Sequence, residues 1–588
     1  MKTRVILCLA LLLVLMPFRS ASATPTLPPG VTYNGASVWT VYPHNSSPDD
    51  PNRIQAAVDL AEPGDTVRLA AGTFDFSEFE TVRIAKDLTL EGAWDRKHQV
   101  PLTTIKNGYM PVLIGRKTPV EKPFTEMING HEVYHITMDV WGKLVFAFAY
   151  PGMEDYNIFD YWTPVHVNVR QIAFERPYGA AIFSSGMDGG TIEKLRILSA
   201  WPMSIDYEGG GTGSMGIGWY NTAVLPMAVA GWGRFYDPDL YTGTDLIRGD
   251  LLVQDSVILG DERSFMEGQA DEAGDLIFVP YDAGNPIPPN ADYNKYVLQD
   301  VAFAWDETFL PIPDSIQPYW VKKGYTAAFY GDQVWAERGI WAGVYSLYAQ
   351  SNLTVRRNVM QDCGTGVYLL ENGFMGVPFT ALVEDNQITP ATGAGWGSGL
   401  VAFGWDHFNP FNGELTHANP GMFIAVRDNT ITVRNGNLDM WAMAVNVSMY
   451  GKALVNKNQI DLASGSGIVL GWPTQSATVL NNRISGTGDY ALMTWWDSNG
   501  NLMKANNLNA FVPTGLGFPD AGVPPAEILL ISDNNAIIGG GHHEPGETVW
   551  DLGYNNTVTG ITQQIGQHLT EKQWNAIAKA NQMRRYLP

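Results

Sequence analysis

Only two cysteines occur in 588 residues, and Cys8 lies in the first ten. Cys363 therefore has no partner for an intrachain disulfide in the remainder, so packing must hold the chain together and Cys363 reads as a small core residue. Charge is scarce at 16%, and cations are the scarcer sign: 37 Lys and Arg face 60 Asp and Glu, a formal net charge of −23. That acidic surface repels phosphate backbones, which argues against a nucleic-acid partner, and it repels acidic polysaccharides unless a cation bridges them. Beyond the N-terminus no apolar run approaches the ~20 residues of a membrane span. Gly-x-Ser-x-Gly, Gly-rich phosphate loops, arginine clusters and EF-hand spacing are all missing, which sets aside α/β-hydrolase, nucleotide and EF-type calcium chemistry.

What is present is aromatic and glycine-rich: Gly 61, Trp 19, Tyr 25 and Phe 24. Such a chain has apolar surface to bury and is not of disordered composition. Residues 1–23 read as a signal peptide. Lys2 and Arg4 precede the apolar run Val5 to Met16, and Ala21-Ser22-Ala23 is a small-residue cleavage pattern. Its removal, with Lys2, Arg4 and Arg19, takes the formal charge from −23 to −26. The mature chain is expected to be secreted, whether extracellular, periplasmic or on the cell surface.

Residues 24–48 read as a Pro-rich linker and a first strand. Asp50 is placed to cap a helix and Pro51 suits its first turn. Ile54, Ala57, Val58 and Ala61 then recur at i, i+3, i+4, i+7 as one apolar stripe. Glu62-Pro63-Gly64-Asp65 ends the helix, and strands are expected at Thr66 to Ala71 and Val82 to Leu90. Further on, a unit of apolar residue, two variable residues, Asn, one variable residue and apolar residue repeats. It occurs as Val355-Asn358-Met360, Val383-Asn386-Ile388, Val426-Asn429-Ile431, Val455-Asn458-Ile460, Val479-Asn482-Ile484 and Met503-Asn506-Leu508. The Asn suits a tight bend, since it tolerates left-handed backbone and bonds locally. Stacked coil on coil, these Asn side chains are expected to bond one another. A Gly followed by alternating apolar residues precedes each unit, as in Gly366-Val367-Tyr368-Leu369 and Gly467-Ile468-Val469-Leu470. A period of about 24 residues is too short for a propeller blade.

The run Ile54 to Phe74 resembles the N-terminal start of pectate-lyase-like right-handed parallel β-helix proteins, in which a short helix plugs the open end of the coil. The repeats are similar to those of carbohydrate-binding and sugar-hydrolase β-helix proteins. The resemblance implies an all-β solenoid over 49–560, with an N-terminal capping helix and long insertions at about 110–163, 205–249, 261–339 and 389–420. Thr570 and Gln573 form a capping-box pattern, so 561–588 is expected to be a C-terminal helical segment.

Fold does not fix chemistry. Of the polygalacturonase motifs only Gly541-His542-His543 matches a fragment, and of the pectate-lyase motifs only Gly404-Trp405-Asp406-His407 echoes one, so neither mechanism carries over. Asp406 and His407 are an acid/base pair by local chemistry, set against a solvated loop turn. His542-His543-Glu544 lacks partner ligands at metal spacing, so no metal or other cofactor is expected; Ca²⁺ at the acidic loops Asp237-Pro238-Asp239 or Asp271-Glu272 is the one candidate ion. Aligning the coils on their Gly-apolar starts puts Trp472 level with Trp495. The same alignment places Met449, the Gly404-Trp405-Asp406 corner, Glu371 and Tyr348 in that column. Candidate ligand-binding residues are Tyr348, Tyr368, Trp405, Trp472, Trp495 and Trp496; candidate catalytic residues are Glu371, Asp406, His407 and Asp497. Aromatic faces suit sugar rings and carboxylates accept hydroxyl hydrogen bonds. One reading is a protein that binds and processes a polysaccharide, as a lyase or glycoside hydrolase. The other is a non-catalytic extracellular scaffold or adhesin, with the aromatics packed beneath the insertions.

Overall fold

Three long sheets share almost every described strand, and almost every pairing within them is parallel. A computed structural model describes residues 27–46, 48–76, 81–108, 111–114, 124–128, 131–135, 165–175, 177, 180–185, 187–198, 215–220, 250–260, 265–266, 268–270, 276–278, 326–330, 333–337, 340, 342–347, 352–372, 379–390, 398–404, 419–434, 442–471, 474–514, 517–518, 522–539, 548–570 and 572–573. The sheets have fifteen, thirteen and eleven strands. The chain visits them in rotation: Tyr450–Asn456 in the fifteen-stranded sheet, Gln459–Leu462 in the eleven-stranded, Ser466–Gly471 in the thirteen-stranded, then Ala477–Leu480 in the fifteen-stranded again. Parallel crossovers of this kind wind right-handedly, so the fold is a right-handed parallel β-helix, as expected.

Alternation decides which side chains fill the coil. Val253, Val355, Val383, Val426, Val455 and Val479 share one register in the fifteen-stranded sheet, and all are at most 1% exposed. Ile258, Met360, Ile388, Ile431, Ile460 and Ile484 share one register in the eleven-stranded sheet and are at most 2% exposed. These are the apolar residues on either side of the repeated Asn.

The bend between them is a hydrogen-bonded column. In each of Asn358, Asn386, Asn429, Asn458 and Asn482, the backbone N–H and the side-chain amide both donate to Oδ1 of the Asn one coil later, at 2.9–3.1 Å. The same amides, and that of Asn506, also donate to strand carbonyls such as Val455 O. The Asn is not the left-handed residue, contrary to expectation. The residue before it is: Asp255, Arg357, Asp385, Asp428, Lys457, Asn481 and Ala505 have φ of 52–56°. One position takes the backbone strain and the next supplies the bonds.

The N-terminal end is closed by a helix, Asp49–Leu60, whose Ile54, Ala57, Val58 and Ala61 are buried in the core with Val41, Val67 and Ile84. Asp50 does not cap it. The carboxylate, fully buried in the first turn, instead accepts the N–H groups of His44, Ser46 and Asp75, at 2.6, 3.1 and 3.0 Å. The reason is reach: these strand-end donors would otherwise be orphaned. Two strands, Val31–Tyr33 and Val38–Val41, form a hairpin where one was expected, and the strand expected over Val82 to Leu90 divides into Val82–Ile84 and Leu88–Gly92.

Of the four expected insertions, most residues lie outside the described ones, but three contain strands of the thirteen-stranded sheet: Val112–Ile114, Met215–Tyr220 and Ser398–Gly404. The coil therefore continues through them. The fourth, 261–339, holds small antiparallel sheets. The segment expected to be helical from 561 opens as a strand, Thr562–Ile565, because its alternate residues extend the thirteen-stranded sheet beside Thr548–Asp551. Thr570 N–H donates to Gln573 Oε1 at 2.9 Å, and residues after 573 lie outside the described ones. Among the described residues no helix is long and apolar enough to cross a membrane.

Candidate functional site

The thirteen-stranded sheet differs from the other two in having a buried outer face. Its inward residues, Val344, Val367, Leu400, Val445, Ile468 and Leu492, line the coil. One residue on, the outward column runs Tyr345, Tyr368, Val401, Asn446, Val469, Met493 and Leu529, and every member is at most 8% exposed. Two residues further on, the outward row includes Phe403, Ser448 and Gly471, in register across their strands.

Aromatic side chains occur in both halves of this face. Tyr345 and Tyr368 stack with ring centroids 5.5 Å apart and planes at 4°, and Phe403 meets Tyr368 edge-on at 6.5 Å. The spacing is close to that between adjacent strands, so the sheet itself sets the stack. In the C-terminal half a second apolar cluster covers the face: Val469, Tyr490, Met493, Trp495, Phe518, Val523, Leu529, Ile531, Leu552 and Leu569. Trp495 is 9% exposed and lies 5.8 Å from Phe518, while Trp496 is half-buried against the same cluster.

The expected site residues divide accordingly. Tyr348, Trp405, Asp406, His407 and Trp472 lie outside the described residues, as do His542, His543, Glu544 and the acidic loops at 237–239 and 271–272. Glu371 falls within the strand Thr365–Asn372 at a register irregularity between Leu370 and Asn372. Such bulges recur beside functional sites. Asp497 has φ 58° and accepts at Oδ1 from Asn499 Nδ2 at 2.8 Å, a turn three residues past the strand Tyr490–Thr494. The alignment that put Trp472 beside Trp495 counted from the glycine starts, and the strand register can be followed only as far as Gly471. The pair Leu470↔Thr494 puts Gly471, the last described residue of its strand, level with Trp495, and Trp472 itself lies outside the described residues. A one-residue slip exchanges the two faces of a strand. Counting from Gly467 had no marker of the same kind in the next coil, where Ala491 stands at that position.

Three residues escaped the sequence reading. Tyr345 follows Gly343-Val344 just as Tyr368 follows Gly366-Val367, so the signal was there. Asn446 and Ser448 interrupt the apolar strand Met443–Ser448, which was equally visible. Cys363 is buried against Gln361 O at 3.7 Å, and that burial pushes its thiol up to about 12, which keeps it protonated and unreactive at neutral pH. Among the described residues no group of three or more His, Cys, Asp or Glu is gathered to hold a metal ion.

No family model matches the sequence, and no curated protein matches it. Solved structures do. The surface protein and adhesin PfbA of Streptococcus pneumoniae aligns over 88% of this chain and 94% of its own, at 11% identity and a TM-score of 0.34. The periplasmic alginate epimerase AlgG aligns over 91% and 80%, at 9% identity and a TM-score of 0.25. The tailspike gp61 of Pseudomonas phage phi297 aligns over 81% and 76%, at 8% identity and a TM-score of 0.24. The β-helix assignment rests on the strand pairing described above.

Proposed function

We propose that this is an exported β-helix protein that binds a polysaccharide along the outer side of the thirteen-stranded sheet. The observation that carries this reading is the register-matched pair Tyr345 and Tyr368 on that side, with Phe403 edge-on to Tyr368 and Trp495 and Trp496 further along the sheet. Aromatic rings present apolar faces that suit the apolar faces of sugar rings. Tyr348, Trp405 and Trp472, which the sequence alignment groups with Trp495, complete the binding residues in this reading. Glu371, Asp406, His407 and Asp497 are the groups that would act on the glycan, as a lyase or a hydrolase; a hydrolase needs two of the carboxylates to face each other across the chain.

A second reading is favoured by one observation: Tyr368 and Trp495 are 8% and 9% exposed, so they serve packing as well. In that case the protein is a non-catalytic extracellular scaffold. The test is a panel of soluble polysaccharides titrated against tryptophan fluorescence, with parallel assays for new reducing ends and for unsaturated-sugar absorbance. Binding with product marks an enzyme, and binding alone marks a lectin-like module. A protein that binds nothing on the panel and makes no product is a scaffold, and the polysaccharide reading is then abandoned.

A further inference from the structure

Along the outward column of the thirteen-stranded sheet, Asn446 is the one amide, set between Val401 and Val469 in register. Its partner is local. The hydroxyl of Ser448 donates to Asn446 Oδ1 at 2.8 Å, and the two residues are 5% and 2% exposed. Gly471, on the next coil, makes room for the pair, since a Cβ there would overlap Ser448 Oγ and stand 3.1 Å from Asn446 Oδ1. With Oδ1 engaged, the carboxamide has a fixed sense and its NH₂ is the free end. That NH₂ donates to no group among the described residues.

Among the described residues the buried polar side-chain atoms without a partner are Ser184 Oγ, Tyr450 Oη and Thr494 Oγ1; the Asn446 NH₂ is not one of them and keeps an open side. An oriented amide donor on an otherwise apolar column is a contact that a ligand oxygen can accept. The charge of the surroundings narrows what that ligand is. The strands of this sheet from Ala180–Ser185 to Thr548–Asp551 contain no Lys, Arg or His, while Glu371, Glu527 and Asp551 lie among them. The whole chain carries −23. A uronate or sulfated chain would meet no cation on these strands and a repulsive field around them.

Building on the polysaccharide reading above, we infer that Asn446, oriented by Ser448, is a specificity-determining contact for an uncharged glycan, its amide donating to a hydroxyl or ring oxygen of a neutral sugar. The apolar and aromatic neighbours take the ring faces, and the amide sets the register of the chain on the sheet.

The test is calorimetric titration of the full-length mature protein with a neutral panel (a β-glucan, a galactomannan and a xyloglucan) and a uronate panel (polygalacturonate and alginate). The parent, Asn446→Val, Asn446→Asp and Ser448→Ala are compared, each with a melting curve. The parent is expected to bind a neutral polymer and neither uronate. Asn446→Val and Asn446→Asp should each lose roughly tenfold or more in affinity. Ser448→Ala should lose less, because the amide remains but turns freely. Asn446→Val should melt at or above the parent temperature, an outcome a structural amide would not give. If it melts well below the parent, or binds like the parent, Asn446 is not a ligand contact, and the polysaccharide reading survives without it. If only uronates bind, the neutral-glycan assignment is wrong. If the parent binds no polymer, the polysaccharide reading fails first.

Discussion

The corner between the fifteen- and eleven-stranded sheets is the same in coil after coil, whereas the path from the thirteen-stranded sheet back to the fifteen-stranded one almost never repeats. Two residues make the first corner between Arg356 and Val359, Glu384 and Gln387, Arg427 and Thr430, Asn456 and Gln459, and Leu480 and Arg483. On the other side, the step is a single residue between Ser448 and Tyr450, seven between Thr494 and Leu502, and fourteen between Gly404 and Asn419. At the constant corner the Asn side chains satisfy one another and the neighbouring carbonyls. The variable side opens beside an outer face that carries an aromatic stack and an amide held through its oxygen by Ser448. A solenoid needs only one rigid edge to hold its register. That leaves the other edge open to insertion, and insertions are where binding residues collect.

The sharpest way to break the constant corner is Asn482→Leu. It orphans Val455 O and the N–H of Asn458, and it removes one of the two bonds made by the Asn458 amide and one of the two accepted by Asn506 Oδ1. A loss of about 3–5 kcal/mol is expected in urea denaturation. An unchanged midpoint would mean that the column follows the fold and does not hold it. On the variable side the cost should be smaller and local. Trp495→Ala removes the ring packed on Phe518 in the second apolar cluster, and about 3 kcal/mol is expected. Because coils contact only their neighbours, hydrogen exchange should rise in Tyr490–Thr494 and Ala526–Leu530 before the N-terminal coils respond. Uniform protection along the chain would contradict that. The smallest effect is a gain. Ala505 occupies the left-handed corner position at φ 54°, where a Cβ is strained, so Ala505→Gly should raise stability by roughly 0.5 kcal/mol once the freer unfolded chain is counted. A fall in the melting temperature would show that the corner is relaxed with alanine.

Much of this was legible in the sequence for a plain reason: alternation and the Asn repeat are short-range patterns, read within six residues. Val479-Asn482-Ile484 states its own two strands and bend. The same is true of the helix stripe Ile54, Ala57, Val58 and Ala61, all buried as expected. The division of labour within the bend was not legible. Any of Lys457, Asn481 or Ala505 can fill the left-handed position, so its composition carries no mark, and the conspicuous Asn draws the eye to the wrong residue. The level of Gly471 against Trp495 carries no mark for a similar reason, since Ala491 replaces the glycine that marks the start of other coils.

The sequence by itself determined that this chain is a parallel β-helix, plugged by a helix at its N-terminal end, because each coil repeats one local pattern. Only the tertiary structure decided which outward residues share a column, that the outer face of the thirteen-stranded sheet is buried, and that Asn446 leans on Ser448 across Gly471. Those facts depend on inter-coil register. The register is set by hydrogen bonds between residues such as Asn358 and Asn386, or Asn386 and Asn429, at sequence separations of 28 and 43, and no local pattern records a separation that changes from coil to coil.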